Sequence, residues 1–372
     1  QDLTGNVQLQ DTFLQNRQTA WKVLRLESCD IQFKLHQKGI GHWQLAIENS
    51  FLRSHKVKLN LPKISLSSQK NPEGVWTHIA TNIKSLNLGQ LNKVIIKNTL
   101  LPATWRTPLE KLALQGKLKH FIFYADLEQQ HFAINADAEH LSFHGLNKKW
   151  PSVSNTSFSI KGTEQSGTIN LKGNQMKLDL NGLFRKALLF EEATGAMHWQ
   201  QQADQYVLSA EDLQLDTPDI KTNSRLSLVI PKNDQAASME LYNHFYEGKD
   251  VRQLFNYLPV GIMSDGLVNW LDKAFLAGHI PQGGLLFRGA FKDFPFVEQQ
   301  GVFEVLFDVR QLDFHYSDDW PDIQDMNAQV RFFENSFSVD IAQGKASGAQ
   351  IQSGRVGIDS FWYSDYLTIQ GQ

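Results

Sequence analysis

The chain has 372 residues, of which 41% are hydrophobic and 20% are charged, and its formal net charge at pH 7 is −3. This composition can supply a core for one or two domains, and the weak negative charge excludes a surface built for nucleic acid. The single cysteine, Cys29, excludes an internal disulfide framework and a cysteine-rich metal site. No run of about 18 apolar residues occurs, so we expect no transmembrane helix here.

The first 85 residues are predicted to be the leading strands of a sheet. Residues 1–20 are polar and without a clear period, and we expect a frayed lead-in there. From Leu24 onward, apolar residues alternate with polar ones, as around Phe33 and Leu45. A period of two is typical of antiparallel strands with one dry face and one wet face.

Helical patterns interrupt the strands in two regions. A period near 3.6 over residues 86–101 predicts the first helix, and Thr107 followed by Pro108 predicts the start of a second. Asp250 and Ser264 are suited to cap two further helices. Alternating strands with glycine punctuation follow each helical region, which favours an all-β body.

An internal repeat relates the two regions. Residues 115–123 match residues 288–296 without gaps, and Trp150-Pro151 matches Trp320-Pro321 at a similar offset. Each copy predicts helices, a glycine, an aromatic strand, alternating strands and a Trp-Pro turn. Repeats of this kind bury each unit against its neighbour in a quasi-one-dimensional chain.

The repeat predicts three parts within one continuous elongated body. Residues 1–85 are the leading strands, residues 86–249 are repeat unit one and residues 250–372 are repeat unit two, each with helices before strands. The predicted fold class is mostly β, with a long, curved, open antiparallel sheet built of quasi-repeats and a few short helices.

The sequence offers little for catalysis. It has no Gly-x-Ser-x-Gly elbow, no P-loop and no His-Glu-x-x-His motif. His140 and His144 are four residues apart in a predicted strand, and we interpret them as solvent-facing rather than as metal ligands. Arg288 could hold a phosphate headgroup, but a solvent-facing role is favoured. We therefore predict no enzyme, no metal site and no cofactor.

Apolar strand residues are the candidate contacts for a ligand. Their periodicity alone suits the core of a closed β-sandwich equally well, and that alternative stays open. The long succession of strands favours an open sheet, whose dry face is too large for a monomer to expose uncovered. The candidates are Phe132, Ile134, Ala136, Ile169, Leu171, Leu178, Leu180, Phe303, Val305, Phe307, Val309, Phe332, Val339 and Ile341.

An ordered set of motifs resembles the YhdP branch of the AsmA-like proteins. The set is Tyr257-Leu258-Pro259, Trp270-Leu271-Asp272, Gly278, Arg288-Gly289, Phe294-Pro295-Phe296, Gly301-Val302-Phe303 and Trp320-Pro321, with upstream echoes at Asn170-Leu171-Lys172-Gly173 and Gly195-Ala196-Met197-His198-Trp199. None of these motifs is catalytic, and their order carries the resemblance.

The resemblance implies a lipid-transport protein of Gram-negative bacteria. It implies a taco-like β-groove in the periplasm, lined with apolar side chains, that contacts phospholipid acyl chains and moves phospholipid toward the outer membrane. It also implies an anchor helix in the inner membrane, which this sequence does not contain, and partners in the outer membrane or envelope. We therefore expect an internal fragment of such a protein. The alternative function is a closed β-sandwich or solenoid that serves as a structural or protein-binding module.

Overall fold

The computed structural model describes residues 1–14, 24–39, 41–55, 57–97, 103–147, 150–360 and 368–371. Most of these residues lie in antiparallel strands, and short helices make up a small remainder, which confirms the predicted mostly β class. The chain divides into two compact bodies, Gln1–Asn181 and Gly182–Gln372, called here the first body and the second body.

The strands of the first body pair antiparallel in chain order, and β3 pairs with both β4 and β5. They are β1 (Asp2–Leu14), β2 (Leu24–Gly39), β3 (His42–Ser54), β4 (Val57–Leu61), β5 (Ile64–Lys70), β6 (Trp76–Asn87), β7 (Gln115–Asp126), β8 (His131–Phe143), β9 (Ser152–Thr163) and β10 (Ser166–Asp179). Helices α1 (Leu88–Lys97) and α2 (Ala103–Leu112) join β6 to β7.

Strand β1 corrects the prediction of a frayed lead-in. Leu3 and Val7 are two of its alternating apolar residues, and they pair with Leu35 and Ile31 of β2. The alternation is short and interrupted by polar residues, so pairing with β2 rather than local propensity defines this strand. Residues 15–20 of the predicted lead-in lie outside the described residues.

Helix α1 agrees with the predicted helix, of which residues 98–101 lie outside the described residues. Helix α2 differs from the prediction at its start. It begins at Ala103, so Thr107 is not its N-cap and Pro108 lies inside it. Proline lacks a backbone N–H, so this helix runs through Pro108 with one intrahelical hydrogen bond fewer.

A line of β-bulges crosses β7–β10. Residues with positive φ lie beside register shifts on four successive strands, namely His120, His140, Asn155 and Gln175. A side-chain bridge supports the line, since Asn155 Nδ2 donates to Asn174 O at 2.9 Å and Asn155 Oδ1 lies 2.8 Å from His140 Nδ1. Each bulge shifts the in–out alternation by one residue, so a fixed period of two does not hold along the whole strand.

The second body is also an antiparallel succession of strands. They are β11 (Leu188–Gln202), β12 (Gln205–Asp216), β13 (Lys221–Pro231), β14 (Ser238–Gly248), β15 (Phe275–Ala290), β16 (Val302–Phe314), β17 (Ile323–Phe333), β18 (Ser336–Ala346), β19 (Ala349–Ile351), β20 (Gly354–Ile358) and β21 (Thr368–Gly371). Strand β18 pairs with both β19 and β20.

Two short helices, α3 (Val251–Leu254) and α4 (Asp265–Ala274), join β14 to β15. Both predicted caps are confirmed, because the Asp250 side chain accepts from the N–H of Arg252 and the Ser264 hydroxyl accepts from that of Leu267. Within the described residues, no helix has the length and apolar character needed to cross a bilayer.

The repeat prediction is only partly reflected in the elements. Residues 115–123 all lie in β7, but their match at 288–296 covers the end of β15 and a 3₁₀ turn at Phe291–Asp293. The two Trp-Pro dipeptides do occupy corresponding connections, β8–β9 and β16–β17, and both tryptophans are exposed. The repeat-unit boundaries at 85/86 and 249/250 stay a prediction.

Candidate functional site

The first body presents one apolar sheet face. Residues that pair across antiparallel strands point to the same face, so the register traces rows of neighbours. One row contains Leu3, Leu35, Leu45, Leu66, Thr81, Phe123, Ile134, Gly162 and Gly167. The next row contains Gly5, Phe33, Ile47, Ile64, Ile83 and Phe121.

Five of the predicted contact residues fall on this face. Ile134 pairs with Phe123, and Ala136 and Ile169 both pair with Ile160. The same registers place Phe132 opposite Ala125, and Leu171 opposite Phe158. Leu178 pairs with Val153 beyond the bulges, whereas Leu180 follows the end of β10 at Asp179 and is not a strand residue. Their contact with a ligand stays a prediction.

This apolar face is accessible to solvent. Leu66 is 40% exposed and Phe132 is 38% exposed, and many of their neighbours are half-buried. The inner face of a closed sandwich would bury such side chains against a second layer. We therefore take this face as the candidate contact surface for a ligand or a partner.

The opposite face of the first body carries ion pairs, together with the exposed side chains of Ile122 and Tyr124. Its ion pairs include Lys119 with Glu139, whose Nζ and Oε1 atoms are 2.6 Å apart, and Lys63 of the β4–β5 connection with Glu48 at 2.7 Å. The hydrogen bond from Lys119 lowers the pKa of the Glu139 carboxyl. These exposed pairs contribute little stability. They distinguish this mixed face from the apolar one, whose two rows contain no charged side chain.

In the second body, part of the apolar face is half-buried rather than fully covered. Leu285, Val305 and Phe332 pair in one row across β15, β16 and β17, and all three are half-buried. We call this row the open strip. The predicted contact residues Phe303 and Phe307 flank Val305 along β16 and are also half-buried.

The remainder of this face is covered by the helices. Val309, Val339 and Ile341, predicted as ligand contacts, lie in the main core cluster together with Val330 and Leu271. Val309 is 0% exposed and Val330 is 1% exposed. These positions alternate as predicted, but in this structure a helix rather than solvent lies against them. Their role as lipid contacts stays a prediction that would require the helix to move.

Trp270 of α4 is central to this cover. Its ring makes edge contacts with Phe314 and Phe337, each at a centroid distance of 6.0 Å. Its Nε1 donates a hydrogen bond of 3.0 Å to the carbonyl oxygen of Tyr316. The indole therefore joins α4 to β16, β18 and the connection that follows β16.

A cluster of aromatic rings covers the row beside the open strip, on the side of the β15–β16 loop. Phe294 and Phe296 of the β15–β16 loop pack on Phe287 at 6.0 and 5.3 Å, and Phe294 packs on Phe303 at 5.4 Å. Phe287 and Phe296 are buried, whereas Phe291, stacked on Phe287, is exposed. The aromatic strand that the repeat predicts after Gly289 is thus a loop folded onto the sheet.

Tyr257 holds the helical segment to the sheet. Its hydroxyl donates a hydrogen bond of 2.8 Å to Oδ2 of Asp219, in the β12–β13 connection. Burial raises the pKa of Tyr257 to about 12, and the Asp219 carboxylate acts in the same direction. Deprotonation is therefore unfavourable, and the tyrosine is a structural donor at neutral pH.

The residues considered for chemistry are accounted for by structural contacts. Arg288 is exposed and its Nε lies 3.1 Å from Glu240, which fits the solvent-facing interpretation. His140 bonds to Asn155 on the polar side. In the part of the chain that the structure describes, no three His, Cys, Asp or Glu side chains converge as metal ligands would.

The sequence did not identify several residues of the apolar faces as candidates. Phe33, Phe123, Phe158 and Ile160 lie in the first-body rows or beside them, and Leu285 lies in the open strip. The alternation of these residues is visible in the sequence. Only the pairing register shows that they lie on the same face as the residues predicted to contact a ligand.

Comparisons with known proteins point to one family. A family model described as YhdP protein matches residues 2–372. A curated relative, "Intermembrane phospholipid transporter YhdP" of Escherichia coli (strain K12), is 22% identical over 191 residues, which is 50% of this chain and 15% of the relative. The chain therefore spans a small part of that relative's length. No solved structure matches the chain.

Proposed function

Because this chain belongs to the YhdP protein family, we propose that it takes part in intermembrane phospholipid transport. In this proposal, acyl chains lie against the apolar sheet faces while the headgroup stays in water. The observation that carries it is the solvent-accessible apolar face of β1–β10, traced by rows such as Leu45–Leu66–Thr81–Phe123.

The physical demand of lipid transfer matches such a surface. Exposing an acyl methylene to water costs roughly 0.8 kcal/mol, so a chain of about sixteen carbons costs on the order of 12 kcal/mol. A dry face that is continuous over many strands removes much of this barrier at each step. A transported lipid must also leave, and a face of apolar side chains without specific polar contacts would bind it loosely.

The cellular setting belongs to the same proposal. We propose that the chain works in the periplasm as part of a groove-forming protein anchored in the inner membrane, with contacts toward the outer membrane or envelope proteins. Support comes from the family and from the name of the relative, which describes an intermembrane transporter.

Transport of this kind requires no catalysis. No covalent bond of the lipid is made or broken, so no nucleophile, metal ion or cofactor is needed. The described arrangement fits this, because the polar side chains considered for chemistry are engaged in structural pairs such as Arg288 with Glu240. We therefore propose a transport protein and not an enzyme.

The decisive experiment compares neighbouring residues of β10. Leu171 points to the apolar face, where it pairs with Phe158, and Asn170 points to the polar face, where it pairs with Ser159. An organic extract of the purified chain is examined by mass spectrometry for Leu171→Asp, for Asn170→Asp and for the unchanged protein. We expect near-stoichiometric phospholipid in the unchanged protein, and about a tenfold loss in Leu171→Asp alone.

Lipid-free protein that is folded and monodisperse would contradict the proposal. Equal lipid in all three proteins would contradict the assignment of the face. The first outcome would favour the alternative function, a closed structural or protein-binding module. In the second body, the packed cluster under α4 is the feature that agrees with this alternative.

A further inference from the structure

The solvent-accessible part of the second body's apolar face is narrow at β15–β17. The open strip of Leu285, Val305 and Phe332 is one row wide. The neighbouring row toward the β15–β16 loop contains Phe287 and Phe303, which the aromatic rings of that loop cover. Rows on one face are separated by two residues, so the distance from the Phe303 row to the Phe307 row is about 14 Å.

The opposite boundary of the strip is equally well defined. Val330 pairs with Phe307 in the adjacent row and is 1% exposed. Val330 lies in the same buried cluster as Leu271 of α4, and Trp270 of α4 packs against that cluster. Accessibility therefore falls from half-buried to fully buried between Val305 and Val330.

The first body has no such narrowing over the strands that pair in its middle. Leu66 and Thr81, Ile64 and Ile83 form successive rows on β5 and β6, and each of these side chains keeps some solvent exposure. The difference arises because the second body folds both a helix and an aromatic loop onto the apolar face of the same strands.

We propose that the open strip is a constriction that limits the length of acyl chain lying along the strands β15–β17, with Phe294 and the buried cluster of Val330 and Leu271 as its boundaries. The proposal rests on the proposed phospholipid transport and assigns it a selectivity element. A chain that fits the strip is covered along its length. A longer chain must leave methylenes in water or displace one boundary, and each methylene left in water weakens binding by roughly fourfold.

Methyl NMR of the unchanged full chain tests the wild-type geometry. The probe is a diacyl phospholipid with a nitroxide near the end of one acyl chain, supplied from vesicles. Relaxation enhancement is expected at the methyl groups of Leu285 and Val305, and it should be several-fold weaker at those of Val309, Val330 and Ile341. Equal enhancement at both sets would overturn the constriction while leaving lipid binding intact. No enhancement at any methyl group would overturn the proposed transport function instead.

Selectivity is tested with variants at each boundary. Phe294→Ala shortens the loop boundary, and Val297→Ala is its matched control, because Val297 lies in the same loop, is exposed and is not one of the rings that pack on Phe287. We expect Phe294→Ala to raise retention of distearoyl over dilauroyl phospholipid by about fourfold or more, and Val297→Ala to leave the ratio unchanged.

Trp270→Ala opens the helical boundary. It should extend the relaxation enhancement to Val330, provided that the melting transition shows a folded protein. If Trp270→Ala does not fold, the methyl pattern of the unchanged protein and the lipid ratio of Phe294→Ala still test the constriction. An unchanged chain-length ratio in Phe294→Ala would overturn the constriction.

Discussion

The ring of Phe296 occupies the space that a side chain at Gly289 would need. An ideal Cβ on Gly289 would lie 2.5 Å from Cε1 of Phe296, and one on Gly301 would also lie 2.5 Å from the same atom. Phe296 is fully buried between these two glycines. The motifs Arg288-Gly289, Phe294-Pro295-Phe296 and Gly301-Val302-Phe303 are thus parts of one packing arrangement, and their order in the sequence reflects a loop that folds back onto its strands.

Gly289→Ala should therefore destabilise the second body. The backbone φ of Gly289 is +150°, a conformation that L side chains rarely adopt, and the added methyl group would also clash with Phe296. We expect a loss of about 3 kcal/mol in the free energy of unfolding, from backbone strain and overpacking together. Denaturant unfolding checks the value.

Gly74→Ala is the matched control for this substitution. Its φ is +83°, but no heavy atom lies within 4 Å of the added Cβ. It should show the strain alone, about 1–2 kcal/mol. Equal losses in the two variants would mean that Phe296 adapts without cost, contrary to the packing described.

A pair of valines separates the covered part of the apolar face from the open part. Val330 is fully buried under the helical cover, whereas Val305 lies in the half-buried open strip. We expect Val330→Ala to cost about 2 kcal/mol and Val305→Ala less than about 1 kcal/mol, because only the first leaves a closed cavity. Thermal or denaturant unfolding of both variants tests this, and a larger loss for Val305→Ala would contradict the division of the face.

Local pattern was sufficient for the fold class and for part of the face. Alternation identified the strands that carry Ile134, Leu171 and Phe303, and the ordered motifs identified the family, which the match over residues 2–372 confirms. These features depend on neighbours in sequence. A period of two selects a face wherever no bulge intervenes.

Long-range contacts decided what local pattern could not. Val309, Val339 and Ile341 alternate like the open residues, but α4 folds onto them, and nothing in their own strands signals this. Phe294 and Phe296 have the composition of a strand, yet they form a loop because Gly289 and Gly301 leave room for a ring over the sheet. Residues such as Phe123 and Ile160 become part of the face only through register with their partners.

The Tyr257 hydroxyl should titrate well above the ordinary tyrosine pKa of 10.0. Its pKa is raised to about 12, mainly by burial, so the folded protein holds this proton more tightly than the unfolded chain does. The corresponding stability is fully present below pH 10 and is lost as the pH rises through about 12. Ultraviolet difference titration should show this late ionisation step in the unchanged protein and not in Tyr257→Phe.

The same variant tests the anchor to Asp219. Loss of the hydroxyl removes one hydrogen bond, and we expect about 1 kcal/mol of destabilisation. Tyr242→Phe is the control, since Tyr242 is exposed on β14. A loss of stability in Tyr242→Phe equal to that in Tyr257→Phe would contradict a specific anchoring role.

His315 should make the β16–β17 connection sensitive to pH. Its Nδ1 lies 2.7 Å from Asp322 Oδ1 and its Nε2 lies 3.3 Å from Asp318 Oδ1, while its backbone N–H donates to the carbonyl of Ala274 in α4. The hydrogen bond to Asp322 is the main cause that raises the pKa of His315 above 6.5, and Asp318 adds to it. Protonation therefore favours the folded connection.

The sign of the effect follows from linkage. Since the folded pKa of His315 is raised, its stabilising contribution is fully present below pH 6.5 and is lost as the pH rises through the folded value. Histidine NMR titration should show this higher pKa, and Asp322→Asn should lower it and flatten the pH dependence of the melting temperature. Asp319→Asn removes an equal charge from the same connection without removing the Asp322 hydrogen bond and should change neither. A His315 pKa that is the same in the unchanged protein and in Asp322→Asn would mean that this pair does not control the connection.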